Sequence, residues 1–165
     1  MRNSSLLKRY LGFAILVLCV SFMPWGRVAT AEDASYKAAQ GLAVYLGVVP
    51  AEIVKGHPSG HAERAMHGGT PPGRHQYHIV AAVFDAATGA RVSNASVTAK
   101  VSGLGLSGST KKLEPMEIAG TTTYGEFFNL PGSDLYTIGL TIQRDGVSRA
   151  VVLDFKYDHR RSAHP

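Results

Sequence analysis

From Gly41 onward the apolar residues come in short runs that alternate with polar ones. Glycine, proline, Thr-Gly or Asp-Gly cuts these runs roughly every eight to twelve residues. A period of two places successive side chains on opposite faces of a strand, and no long segment of helical period competes with it. In Ser96–Val101, Val97, Ala99 and Val101 fall on one side, with Ser96, Thr98 and Lys100 on the other. Leu135–Gln143 groups Tyr136, Ile138, Leu140 and Ile142, and Arg149–Tyr157 groups Val151, Leu153, Phe155 and Tyr157. Gly41–Val49 runs apolar up to Pro50, and Tyr77–Asp85 is continuous enough to read as buried on both faces. Leu113–Ala119 and Thr121–Leu130 add two further strands. The pattern predicts an all-β, immunoglobulin-like β-sandwich of about seven strands. Glu32–Gln40 reads as a frayed lead-in or short helical turn, and residues 159–165 as a mobile tail in which His159 and His164 face water.

Residues 1–31 read as a signal peptide. Arg2, Lys8 and Arg9 precede the apolar run Leu11–Met23, Pro24 breaks it, and Ala29-Thr30-Ala31 is a small-residue cleavage site. A thirteen-residue, mainly apolar run is too short to span a hydrocarbon layer of about 30 Å, so no stable membrane anchor is expected after cleavage. The expected compartment is the periplasm or the exterior. The one cysteine, Cys19, lies in the leader, so the exported domain, residues 32–158, must be held by packing rather than by disulfides.

The leader also distorts the charge. The chain carries 17 Lys+Arg against 12 Asp+Glu, a net of +5. Removing Arg2, Lys8, Arg9 and Arg27 leaves 13 basic residues against the same 12 acids. No basic face remains to suggest nucleic acid.

The chemistry concentrates in a loop, residues 56–78, GHPSGHAERAMHGGTPPGRHQYH. It holds His57, His61, His67, His75 and His78, five of the seven histidines, together with Met66. Pro58, Pro71, Pro72 and the glycines prevent a single helix. A histidine-rich loop feeding a strand is a compositional signal for a transition metal; the alternative is that these side chains simply face water. Other motifs fail on context. Gly103–Gly108 matches G-x-G-x-x-G, but Pro115 follows where a phosphate-binding helix should open. His61-Ala62-Glu63 has the H-x-E spacing of zinc deaminases without the cysteines that complete their site. Ser107 lacks the flanking glycines of a nucleophile elbow. No catalytic constellation is present, and the chain is read as non-enzymatic.

The second half, Leu113-Glu114-Pro115-Met116 through Thr123-Tyr124-Gly125 and on to LPGSDLYTIGLTI, resembles the bacterial periplasmic ferrous-iron transport accessory proteins. Those proteins carry a Pro-Met, a loop ending in His-Tyr-Gly and a Gly-x-Tyr strand. Ala43–Leu46 and HIVAAVFD resemble their opening strands, so the likeness covers roughly Leu42–Tyr157. It shades into the YtkA-like exported domains, which share the D-x-x-T-G-x-x-V hairpin. The resemblance implies an immunoglobulin-like sandwich and a copper site of methionine, histidines and a carboxylate. It further implies homodimers and action beside an inner-membrane metal permease.

The residue match is partial. Met116 carries over, whereas Thr123 stands in place of a histidine, and the short turn 144–147 replaces a histidine-bearing excursion. The acid of the early strand falls on Tyr77 or His78. A retained site would be rebuilt from Met116, His78, Met66, His67, His75, His57 and His61. Copper is the preferred ion, because Cu(I) favours thioether and imidazole and Cu(II) favours imidazole and carboxylate; iron is the second candidate. Met116 as a core gap-filler and His78 as a core-edge histidine are the structural alternatives. The competing function class is an immunoglobulin-like interaction module without metal.

Imidazoles bind metal only when neutral, which sets a first prediction. Copper held mainly by histidines should leave the protein as pH falls from about 7 to about 5, followed by equilibrium dialysis. Retention of tight Cu(II) at the acidic end would mean that carboxylates hold the ion.

Overall fold

The computed structural model describes residues 34–65, 68–104, 107–132 and 134–162. The segment expected to be a signal peptide, and Met66, His67 and His164, lie outside the described residues. Eight strands form one antiparallel array: β1 (Tyr36–Ala39), β2 (Leu42–Pro50), β3 (Gln76–Asp85), β4 (Ala95–Ser102), β5 (Ser109–Ile118), β6 (Thr121–Asn129), β7 (Leu135–Arg144) and β8 (Val151–Asp158). Their order is β1-β2-β3-β6-β5-β4-β7-β8. Among the described residues three short α-helices accompany them: α1 (Ala51–Lys55) and α2 (Ala62–Ala65) between β2 and β3, and α3 (His159–Ser162) after β8.

The expected all-β class holds, but the count is eight strands and the form is a nearly closed barrel rather than two separate sheets. The join is β5. Its first half, Ser109–Leu113, pairs with β4, and its second half, Glu114–Ile118, pairs with β6. Pro115 sits in the half that has only one neighbour, the setting in which a strand tolerates a missing N–H. At the other side β1 lies against β8.

The additional strand is β1, where a frayed lead-in was expected. Tyr-Lys-Ala-Ala has weak strand propensity, so its pairing comes from a tight hairpin. Ala39 faces Leu42, and Gln40 and Gly41 between them adopt φ of 49° and 79°. Two positive φ values in a two-residue loop match the twist of the flanking strands. Ala119 and Gly120 (φ 51° and 73°) repeat the device between β5 and β6.

The alternating residues meet inside. Val97, Ala99, Ile138, Leu140 and Phe155 are fully buried in the main core, with Leu42, Val44 and Ile79 from the other strands. Tyr124 spans this core and finds partners for its hydroxyl, which donates to the Val92 carbonyl and accepts from the Ala95 N–H, both at 3.1 Å.

Residues 159–162 are not a mobile tail. His159 is 3% exposed and opens α3, its N–H bonded to the Asp134 carbonyl at 3.0 Å. Its Nε2 lies 2.6 Å from the Tyr77 hydroxyl, and the rings of Tyr77, Tyr136 and Tyr157 surround it. Burial raises the Tyr77 and Tyr136 phenols above their ordinary values, with the neighbouring Tyr157 phenol second at Tyr77 and the Asp134 carboxylate second at Tyr136. The polar string His-Arg-Arg-Ser conceals this because two of the three cage tyrosines come from the distant strands β3 and β7.

The D-x-x-T-G-x-x-V segment is a self-capped turn. Asp85 Oδ1 accepts from the Ala87 N–H (3.1 Å), the Thr88 N–H and the Thr88 hydroxyl (3.0 Å each), and Asp85 Oδ2 faces Arg144 at 3.3 Å. Gly89 takes a φ of 70°, and Val92 returns to the core. The Thr88 bonds, the Ala87 bond and then Arg144 hold the Asp85 carboxyl below its ordinary 3.8. A depressed folded-state value stabilises the protein above 3.8 and loses that contribution as pH falls through the folded value. Asp85→Asn should therefore lower the urea midpoint at neutral pH and flatten the acid limb of the stability profile. An unchanged acid limb would show that the turn does not depend on the charge.

Candidate metal centre

Tyr77, Ile79, Ala81 and Val83 of β3 enter the main core, so His78, Val80 and Ala82 face outward. The outward face is dry only at one end. There α1 lies across it, and Ala51, Val54 and Phe127 form a small second core with Val49. Burial on both faces is thus confined to Tyr77–Ile79, while Val80, Ala82 and Phe84 are half-buried. His78 stands under this cover at 0% exposure, between its strand partners Val49 and Phe127. Its ring stacks on Phe127 with centroids 4.6 Å apart and planes at 28°.

One step along the same face lies Gly125, the partner of Val80 on β3 and of Glu114 on β5. A Cβ at residue 125 would stand 2.4 Å from Cε of Met116 and 2.6 Å from Nε2 of His78. The tips of Met116 and His78 therefore converge on one point above the Gly125 backbone. Met116 is 7% exposed, yet it belongs to neither apolar cluster. It takes the outward face because its strand partner is Thr123, two residues before Gly125 on β6.

The loop supplies the rest. The His57 N–H bonds the Val54 carbonyl at the end of α1, and a Pro58–Gly60 turn leads to His61, whose carbonyl accepts from Arg64 and Ala65 at the start of α2. The Arg64 guanidinium donates to the His57 carbonyl at 2.8 Å and closes the loop on itself. This brings the rings of His57 and His61 to 4.4 Å and turns Glu63 inward at 8% exposure. Glu63 Oε2 lies 3.3 Å from His57 Nδ1 and 3.7 Å from His61 Nδ1; its Oε1 lies 3.5 Å from His78 Nδ1. One carboxylate thus touches three imidazoles, two about one-third exposed and one fully buried.

Three of these donors suit one cation. Ligand atoms of His57, His61 and Glu63 all lie within 4.8 Å of one another. Nitrogen and oxygen ligands at about 2.0–2.2 Å from a common ion stand roughly 3–4 Å apart, so modest closure would bring them into register. The candidate ligands of that ion are Glu63, His57 and His61; His78 meets Glu63 with one ring nitrogen and lies beside the Met116 methyl with the other.

His75 is exposed in the turn before β3, where its carbonyl accepts from the Leu130 N–H. It does not join the cluster. Met66 and His67 lie outside the described residues. Glu63 was missed as a ligand. Its only signal was the H-x-E spacing with His61, which the start of α2 turns into neighbours.

No protein-family model matches the sequence, and no curated protein does. Solved structures do match in fold. A DUF4426 family protein of Pseudomonas aeruginosa is 15% identical, with a TM-score of 0.53 over 74% of this chain and 94% of that one. A copper-bound variant of FetP from uropathogenic Escherichia coli is 11% identical, with a TM-score of 0.56 over 74% and 92%. A copper-bound variant of P19 from Campylobacter jejuni is 10% identical, with a TM-score of 0.54 over 74% and 92%. At these identities the likeness is one of fold.

Proposed function

We propose that this chain is an exported, periplasmic, copper-binding protein without enzymatic activity, an accessory to the uptake of iron or copper. The observation that carries the reading is Glu63, which reaches His57, His61 and the fully buried His78 with its two oxygens, while Met116 meets His78 over Gly125. Buried charge needs a counter-charge, and a cation amid neutral imidazoles supplies one to the carboxylate. Thioether, imidazole and carboxylate together favour copper over harder ions. The shared fold of copper-bound FetP and P19 variants supports the reading.

The proposed partners are an inner-membrane metal permease and a second copy of the chain. For the second copy there is a mostly apolar face running up to the site, formed by the cross-strand pairs Ala43–Phe84, Tyr45–Ala82, Gly47–Val80 and Val49–His78, with the Arg91 guanidinium over the Phe84 ring at its far end. Tyr45, 50% exposed, packs there against Tyr36 and Phe84.

Metal analysis and copper titration of the purified protein test the reading. Met116→Leu conserves volume and should leave stability within about 1.5 kcal/mol while weakening Cu(I) more than Cu(II). His78→Ala should weaken both ions. A parent protein that binds neither would leave the metal-free interaction module as the better account.

A further inference from the structure

His159 is a buried titratable group that the metal centre does not use. It is 3% exposed, and its Nε2 lies 2.6 Å from the hydroxyl of Tyr77, itself 9% exposed. The phenol O–H is the more acidic of the two donors, so it donates and the imidazole nitrogen accepts. The ring's own proton then sits on Nδ1, which is buried with no hydrogen-bond partner among the described residues. A proton taken up at Nε2 has no onward path through the ring and stays beside the phenol. Other buried phenols are placed differently. Tyr124 donates to the Val92 carbonyl at 3.1 Å and Tyr136 to the Pro131 carbonyl at 2.5 Å. A carbonyl accepts a hydrogen bond but is too weak a base to hold the proton.

The difference decides what happens when an electron is lost. Burial first, then Tyr157 and Glu52, raises the Tyr77 phenol above its ordinary value, so it stays protonated. Removing an electron would leave a cationic phenol in a dry site, which is costly unless the proton leaves with it. A base at hydrogen-bond distance takes that proton without movement of heavy atoms. The imidazolium so formed stacks at 5.9 Å on the Tyr157 ring and lies 6.0 Å from the Tyr136 ring, within cation–π range of both.

We infer that Tyr77 and His159 form a redox-active pair, which gives up one electron to oxidants of the oxygen-centred radical class. The radical takes one electron from Tyr77 and becomes its anion. The phenolic O–H bond breaks, and its proton goes to Nε2 of His159. The products in the protein are a neutral tyrosyl radical and an imidazolium, whose positive charge balances the anion. Tyr77 faces the core from β3 while His78 faces the other way, and the pair does not depend on the copper reading.

Pulse radiolysis supplies peroxyl radicals to the purified protein and to Tyr77→Phe, His159→Gln and Tyr45→Phe. Transient absorption and electron paramagnetic resonance follow the tyrosyl radical in light and heavy water. The parent should form a persistent radical, shielded from coupling with a second ring, and should form it more slowly in heavy water. Tyr77→Phe should lose that radical, whereas Tyr45→Phe, changed at a 50% exposed ring, should keep it. His159→Gln retains a hydrogen-bonding side chain without a base, and should slow formation by roughly 100-fold and remove the isotope effect. A persistent radical that survives Tyr77→Phe overturns the inference, as does one that forms as fast and with the same isotope effect in His159→Gln. A parent that forms no persistent radical overturns it too. Should His159→Gln fail to fold, the parent decides: equal rates in light and heavy water overturn the proton transfer to His159.

Discussion

A fully buried imidazole on the outward face of a sheet is the constraint around which this protein is arranged. His78 would meet water on a bare strand, as Ala82 and Phe84 partly do a few residues later. Dry burial of a polar ring costs free energy unless it gains partners, on the order of 1–3 kcal/mol. The surrounding structure supplies them in sequence order. Pro50 ends β2 and α1 crosses the face, so that Ala51 and Val54 can pack on Phe127 and shut out solvent. Phe127 offers its ring to His78, and the loop beyond α1 returns to place Glu63 against the ring nitrogen. The second apolar cluster is small, and its effect is to dry one imidazole and hold its plane.

The passage of β5 from one sheet to the other explains how a methionine reaches that place. While β5 pairs with β4, its residue Leu113 is buried in the main core. After Glu114 it pairs with β6 alone, and Met116 shares the outward face with Thr123. Pro115 marks this change of partner. Closing the array through one shared strand also limits exposed edges, which are a hazard for antiparallel sheets. The fold and the donor set thus depend on the same local event.

What could be read from residue order was whatever depends on near neighbours. The two-residue period in Val97–Val101 and Tyr136–Ile142 assigned the inner face correctly because sheet geometry leaves only two faces. The Asp85–Val92 turn was legible because its partners lie within a few residues. Strand β1 was not, since Tyr-Lys-Ala-Ala has little propensity and pairs through a turn that places glutamine at positive φ. His159 was misplaced for a related reason: its tyrosine cage draws on β3, β7 and β8, separated by up to 82 positions. Within the site, Met116, His78, His57 and His61 were recognisable as donor types. Glu63 was not, because a carboxylate in a short amphipathic turn looks like a solvated face until α2 turns it inward.

The two ring nitrogens of His78 face different neighbours. Nδ1 lies 3.5 Å from Glu63 Oε1, and Nε2 points to the space over Gly125 beside the Met116 methyl. His78 and Met116 stand on paired strands whose register fixes them, whereas His57, His61 and Glu63 come from the loop and α2. A loop of this kind offers imidazoles from outside the barrel, which suits a chain with threonine at residue 123 and a short turn between β7 and β8.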